Sequence, residues 1–135
     1  MPAHRIYFHI TWSTRDRQPT IDSAARDFLE CFVRKTSIAN HVSVLALGIL
    51  RSHVHLVIRT KPKHDLPELL QYLKGGSSHA INRLPGNILG LRWNPEYSVT
   101  TVSPRLLKDA IRYVETQDRR HPDEAIPALN TTLQA

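Results

Sequence analysis

Two strand-like stretches separated by two residues constrain this chain more than any other feature. Val42 to Leu50 is almost wholly apolar, and His53 to Arg59 alternates around the β-branched Val57 and Ile58, which suits a pleated surface. Only Arg51 and Ser52 join them. So short a link cannot make the crossover that a parallel pair needs, and it implies an antiparallel hairpin. The first stretch is apolar on both sides and is expected to be a central strand. In the second, side chains alternate faces with a period of two. His53 and His55 therefore share one face, and Val54, Leu56 and Ile58 share the other.

The flanking segments extend the pattern. His4 to Thr14 alternates, with Ile6, Phe8, Ile10 and Trp12 on one face and Tyr7, His9, Thr11 and Ser13 on the other. Trp12 belongs with the apolar set, and His9 is read as structural. Asp22 or Ser23 caps a helix to about Asn40, with Phe28, Leu29, Phe32 and Val33 on one stripe. After the hairpin, Lys61 to His64 is a basic loop. Asp65 and Glu68 form a capping-box-like pair before a helix carrying Leu66, Leu69, Leu70 and Leu73 on one face. Gly75-Gly76 interrupts that pattern. Each glycine costs about 1 kcal/mol in a helix interior relative to alanine, so the pair marks a break or a close approach of backbone. Ser77 to Arg83 resumes the helix, Leu84 to Gly90 is a loop, and Tyr97 to Val102 is a fourth strand. Ser103 with Pro104 caps a last helix, its core stripe being Leu106, Leu107, Ala110, Ile111 and Val114. That helix ends near Gln117 or Asp118.

The order is β-α-β-β-α-β and then α. It predicts an α+β fold, a ferredoxin-like split βαβ antiparallel sheet with an additional C-terminal helix. With 135 residues the chain makes one core, read as a single domain over 1–122. Residues 123–135 are polar and read as a weakly ordered tail.

Composition narrows the partners. There are 18 Lys+Arg against 12 Asp+Glu, a net charge of +6. A basic surface suits a polyanion, because binding releases counterions, although a solvated basic surface would give the same count. Cys31 is the only cysteine, which excludes an internal disulfide and a cysteine-based zinc cluster. Together with an N-terminus unlike a signal peptide and no apolar run of membrane-spanning length, this points to the cytoplasm.

Two residue pairs carry chemistry. His53 and His55 on one strand face can hold one metal ion between them. With 8 histidines in the chain, chance alone gives about 0.5 such His-x-His pairs, so the pair by itself is weak. Tyr113 and Gln117 stand four apart, neighbours on the last helix, a spacing expected about 0.12 times by chance. Taken separately, the histidines read as ordinary half-exposed strand residues and Tyr113 as a packing aromatic. Together they fall on the right elements for one site.

On these residues the chain resembles the HUH-type single-tyrosine transposases of short insertion sequences, including the REP-associated tyrosine transposases. The resemblance spans about residues 5 to 121. It rests on Tyr7-x-His9-x-x-Trp12, on His53-Val54-His55-Leu56, on Gln71 to Ser78, on Trp93 to Val102 and on Ile111 to Gln117. It implies that the last helix carries the nucleophile. His53, His55 and Gln117 would then bind a divalent ion, magnesium or manganese, which acts as a Lewis acid on a phosphate. Tyr113 would attack and form a 5′-phosphotyrosine link. The implied partner is single-stranded DNA with hairpins at element ends, handled by a homodimer, in the cytoplasm and at the nucleoid when bound. The plausible phosphate contacts are Lys61, Lys63, Lys74, Arg83, Arg92 and Arg112, with Arg119 and Arg120 beside them. The chain departs from the family pattern at Ser52, where relatives carry an acidic or amide residue. It departs again at Ser103-Pro104, where many dimeric relatives have glycine, and at Gly76 and His79, where arginine is common.

A second reading is a non-catalytic or degenerate single-stranded nucleic-acid-binding module on the same fold. Its stacking platform would be Tyr7, Trp93 and Tyr97.

Overall fold

The computed structural model of the protein describes residues 6–85 and 89–127. Four antiparallel strands form one sheet: β1 (Ile6–Ser13), β2 (Ser43–Ile49), β3 (His53–Thr60) and β4 (Ser98–Val102). Their order is β2-β3-β1-β4, the expected ferredoxin-like arrangement. Four helices accompany them: α1 (Ser23–Ala39), α2 (Leu66–Ile81), α3 (Leu107–Glu115) and the single turn α4 (Gln117–Arg120). The expected start of β1 at His4, the loop residues Gly86 and Asn87, and the tail from 128 onward lie outside the described residues.

Helices α1 and α2 start where their caps dictate. Asp22 accepts from Ala25 N at 2.8 Å, and Asp65 accepts from Glu68 N at 3.2 Å, each satisfying an orphan donor of the first turn. α1 stops at Ala39, and just past its C-cap His41 has a φ of 61°, the left-handed stop of many helices. Both helices lie on the sheet face lined by Ile10, Trp12, Val54, Leu56 and Ile58, closing one core with Leu29, Val33, Leu70 and Leu73.

Three sequence expectations need correction. β2 is an edge strand, not a central one. It is apolar on both sides because the α1/α2 core meets one face and α3 meets the other. α2 runs unbroken through Gly75-Gly76. A Cβ at Gly76 would stand 2.7 Å from Phe32 Cζ of α1, whereas nothing lies within 4 Å at Gly75. The pair is thus a close approach at Gly76 alone. Lastly, the final helix is not continuous. Pro104–Leu106 is a 3-10 turn that Ser103 does not cap with its side chain, and α3 and α4 break at Thr116. Leu106 is 59% exposed and stands outside the core stripe.

The segment from Asp123, read as weakly ordered from its polar composition, is tied down as far as it is described. Pro122–Glu124 forms a 3-10 turn, Arg51 N donates to Glu124 O at 2.9 Å, and Ile126 packs on the main core. No helix among the described residues is long and apolar enough to cross a membrane.

Candidate active site

The second face of the sheet, away from α1 and α2, presents His53 and His55 from β3 beside His9 and Thr11 from β1. The ladder pairs Thr11 with His55 and Ser13 with His53, so the polar positions of both central strands converge. The His53 and His55 ring centroids are 5.0 Å apart and the rings nearly perpendicular, at 71°. His9 stacks on His55 at 5.2 Å. His9 Nε2 lies 3.0 Å from His55 Nδ1, and Thr11 Oγ1 lies 3.3 Å from the same nitrogen. His53 Nδ1 lies 3.2 Å from Ser52 Oγ and 3.2 Å from Glu124 Oε1. Both motif imidazoles are thus engaged through Nδ1. When each Nδ1 carries the proton, both Nε2 lone pairs are left for a ligand.

Burial keeps these rings neutral. His55 is pushed down to about 3, first by burial and then by His53, His9, His121 and Arg17. His53 is lowered by burial, with Glu124 opposing and Arg17 and His121 adding to the fall. Burial also lowers His9. Neutral imidazole is the form that ligates a metal, so the donor set fits a divalent ion. Among the described residues no group of three or more His, Cys, Asp or Glu could hold one unaided. An ion held by the two imidazoles would need a further ligand of another donor type, such as an amide, water or phosphate oxygen.

Tyr113 stands over this cluster. Its ring lies 6.0 Å edge-on from His55 and 6.0 Å from His9, all within one chain. It is 40% exposed, and the Arg120 guanidinium sits 5.1 Å from its centroid, a cation–π distance. Gln117 is 2% exposed. Its Nε2 donates to the Tyr113 main-chain carbonyl at 2.9 Å, which bridges the break at Thr116 and leaves the amide oxygen to act as an acceptor. It lines a cleft with Gly48, Val114 and Ile126. Its one described side-chain hydrogen bond is to Tyr113, not to either motif histidine.

Two features of β2 seat the tyrosine helix. The register with β3 slips between Val44 and Ala46, a bulge at Leu45 that turns every later side chain to the other face. Gly48 consequently pairs with His55 on the site face. A Cβ there would collide with the Val114 carbonyl oxygen of α3. The helix can lie beside the histidines because Gly48 has no side chain.

The proposed phosphate contacts do not form one patch. Lys61 and Lys63 follow the far end of β3, roughly 25 Å from His53 at the rise of a strand. Lys74 Nζ donates to Asn94 O at 2.6 Å and lies 5.7 Å from the Tyr97 centroid, so it anchors the segment before β4. Arg83, just past α2, pairs with His79 of that helix at 3.1 Å, behind the sheet. Arg92 lies at the same sheet end as His53, where its carbonyl accepts from Arg15 N at 2.8 Å. Arg112 is exposed on α3. The stacking platform of the second reading does not assemble either. Trp93 packs edge-on to Trp12 at 6.0 Å and donates to Ser77 Oγ at 3.0 Å, which makes it part of the core.

Sequence reasoning missed His9, Thr11, Arg17 and Glu124. The alternation of β1 already put His9 and Thr11 on its polar face, and an antiparallel β1–β3 pairing would have set them beside His55. Arg17 (φ 52°) is the second of two consecutive left-handed residues, after Asp16 (φ 56°). Such backbone costs about 1–2 kcal/mol per non-glycine residue. No local signal marked it, and none marked Glu124.

The family model described as "Transposase IS200 like" matches residues 2–117. Among curated proteins, the ISDra2 transposase TnpA of Deinococcus radiodurans is 26% identical over 120 residues, covering 85% of this chain and 86% of its own. A crystal structure of a Deinococcus radiodurans R1 protein described as a transposase superposes with a TM-score of 0.65 at 27% identity, covering 86% of this chain and 93% of that one. The REP-associated tyrosine transposase bound to a REP hairpin superposes with a TM-score of 0.70 at 15% identity, over 90% of this chain and 71% of that one. At that identity the last likeness speaks for the fold.

Proposed function

This chain belongs to the family of IS200-like transposases, and from that premise we propose that it cuts and rejoins single-stranded DNA through a tyrosine–phosphate link formed at Tyr113. The observation that carries the reading is the edge-on approach of Tyr113 to His55 and His9 inside one chain. A nucleophile, a pair of neutral imidazoles and positive charge from Arg120 and Arg17 then share one surface.

His53 and His55 would hold a divalent ion, magnesium or manganese, through Nε2, with the Gln117 amide oxygen or the DNA completing the set. When bound, that ion supplies Lewis acidity at the scissile phosphate. The Tyr113 oxygen bonds to phosphorus as the P–O3′ bond breaks. The tyrosyl proton passes to solvent, and the leaving 3′ oxygen takes up a proton to become a hydroxyl. The 5′ end stays on Tyr113. A later attack by a 3′ hydroxyl reverses the exchange and frees the tyrosine, so the bond energy is conserved. Arg120, against the Tyr113 ring, would offset negative charge on the phosphate oxygens. The net charge of +6 supports a DNA partner, and the hairpin-bound structural neighbour makes a hairpin the form to try first. Each tyrosine would act over its own histidine pair, with a second copy of the chain bringing two DNA ends together. The place of action would be the cytoplasm, at the nucleoid.

The test uses purified protein, single-stranded DNA from its own element ends, and Mn²⁺ or Mg²⁺. A denaturing gel should show a covalent adduct that is absent in Tyr113→Phe and absent with chelator. Failure of the wild type to form it rejects the reading. DNA binding that survives chelator, Tyr113→Phe and His53→Ala, with no adduct, would instead identify a non-catalytic module.

A further inference from the structure

We infer that Glu124 is a positioning residue for His53, its carboxylate holding the imidazole in the tautomer whose Nε2 is free to ligate. The inference rests on the metal reading above.

The hydrogen-bond inventory at this spot leaves little freedom. An ionised carboxylate only accepts. Ser52 Oγ donates to Glu124 Oε1, so its one hydroxyl proton is committed there. His53 Nδ1 lies 3.2 Å from that Oε1 and 3.2 Å from Ser52 Oγ. Neither neighbour has a proton to give it, so Nδ1 must be the donor. A neutral imidazole protonated at Nδ1 has its lone pair on Nε2. This is the carboxylate–histidine pairing that orients ligands at metal sites, with the carboxylate delivered from 71 residues further along the chain.

The main chain around Glu124 is built to hold that carboxylate still. Glu124 N donates to His121 O at 2.9 Å, and Arg51 N donates to Glu124 O at 2.9 Å. Arg51 Nε donates to Ala125 O at 2.8 Å, and Ile126 packs on the core. These backbone and apolar anchors fasten the segment without help from the Glu124 side chain. The carboxylate is therefore surplus to anchoring, and it is spent on Ser52 and His53. His121 N also donates to Gln117 O at 2.8 Å, so the same short segment ties α4 to the first motif histidine.

The test measures Mn²⁺ affinity of the full chain without DNA, by calorimetry, and the His53 tautomer of the metal-free protein, by ¹⁵N NMR. Wild type should show His53 as the Nδ1–H form. Glu124→Ala should lower Mn²⁺ affinity about 10- to 100-fold and populate the Nε2–H form. Glu124→Gln keeps an acceptor without the charge and should fall between. Arg51→Ala loosens the segment but spares the carboxylate, and should leave affinity within about 2-fold of wild type. A Glu124→Ala protein with wild-type affinity and an unchanged tautomer overturns the inference. So does an Arg51→Ala loss equal to that of Glu124→Ala. If the wild type itself binds no Mn²⁺, the metal reading falls and takes this inference with it. Wild-type binding that Glu124→Ala leaves intact removes the role of Glu124 alone.

Discussion

On the α1/α2 side of the sheet, Ile10, Trp12, Leu29, Val33, Leu56, Leu70 and Leu73 are among the residues closed into one core. On the other side, among the described residues, only Ala46, Val57 and Val114 are hydrophobic residues buried together, with Leu107, Ala110 and Ile111 partly so. The area that would hold the rest of a second core is taken by His9, Thr11, His53 and His55. The same two central strands feed both faces, so the difference lies in alternation. Even positions of β1 and β3 face the main core, and odd positions carry the candidate site. The tyrosine helix thus rests on the lightly built side, with little apolar area fixing it.

Cutting into the heavy side should have the largest effect on stability. Leu29 is fully buried, and Leu29→Ala should cost about 2–5 kcal/mol of stability through lost transfer energy and a cavity. Denaturant unfolding measures that. Cleavage per folded molecule should stay at wild-type level, because Leu29 belongs to the core on the opposite side of the sheet. A loss of cleavage matching the loss of stability would mean that the two faces are not separable.

The lightly built side should respond in the opposite way. In Gly48→Ala the new methyl meets the Val114 backbone, which cannot swing aside, so α3 must shift. Displacing a catalytic group by about 1 Å can cost on the order of 100-fold in rate, roughly 2.7 kcal/mol of activation energy. Overpacking at an edge should cost less in stability, about 1–3 kcal/mol. Single-turnover cleavage and unfolding on the same sample give both numbers. Normal cleavage in Gly48→Ala would mean that α3 has play to spare.

These contrasts show what could be read beforehand and what could not. Alternation in β1 and β3 is local, so the face shared by His53 and His55, and the Asp22 and Asp65 caps, were legible from the chain. So was the topology, because a two-residue hairpin link leaves few alternatives. The edge position of β2 was not. A strand covered on both faces looks the same in sequence whether or not it has two neighbours. The bulge at Leu45, the notch at Gly48 and the reach of Glu124 to His53 depend on pairing between distant segments, and no residue type announces them. His9 lay between these cases. Its face was readable, and its partner needed the β1–β3 register.

Acid should separate the faces again, with a smaller effect. His55 is held near 3 by burial and by His53, His9, His121 and Arg17, against about 6.5 when unfolded. A depressed histidine contributes stability that is fully present above the unfolded value. It is lost as pH falls from about 6.5 toward 3, because the unfolded chain binds the proton first. Metal-free protein should therefore lose on the order of 1 kcal/mol between pH 7 and 5. His55→Gln should flatten that slope, as read from thermal unfolding across pH. The same slope in both proteins would place the acid sensitivity elsewhere.

The smallest effect belongs to the glycine pair on the heavy side, and it completes the contrast with Gly48. At Gly76 the neighbour is the far end of the Phe32 ring, a side chain that can turn. Gly76→Ala should therefore change stability by no more than about 1 kcal/mol, with relief of the helical glycine penalty offsetting the displaced ring. Gly75 meets nothing within 4 Å, so Gly75→Ala should stabilise the protein by about 0.4–1 kcal/mol, mostly by removing freedom from the unfolded chain. Neither should alter cleavage. Three glycines given the same methyl group would then rank by what they face: open solvent, a movable ring, and a helix backbone beside the histidines. If Gly75→Ala destabilised the protein, α2 would have to bend there after all, and the unbroken helix that supports the heavy face would be the wrong description.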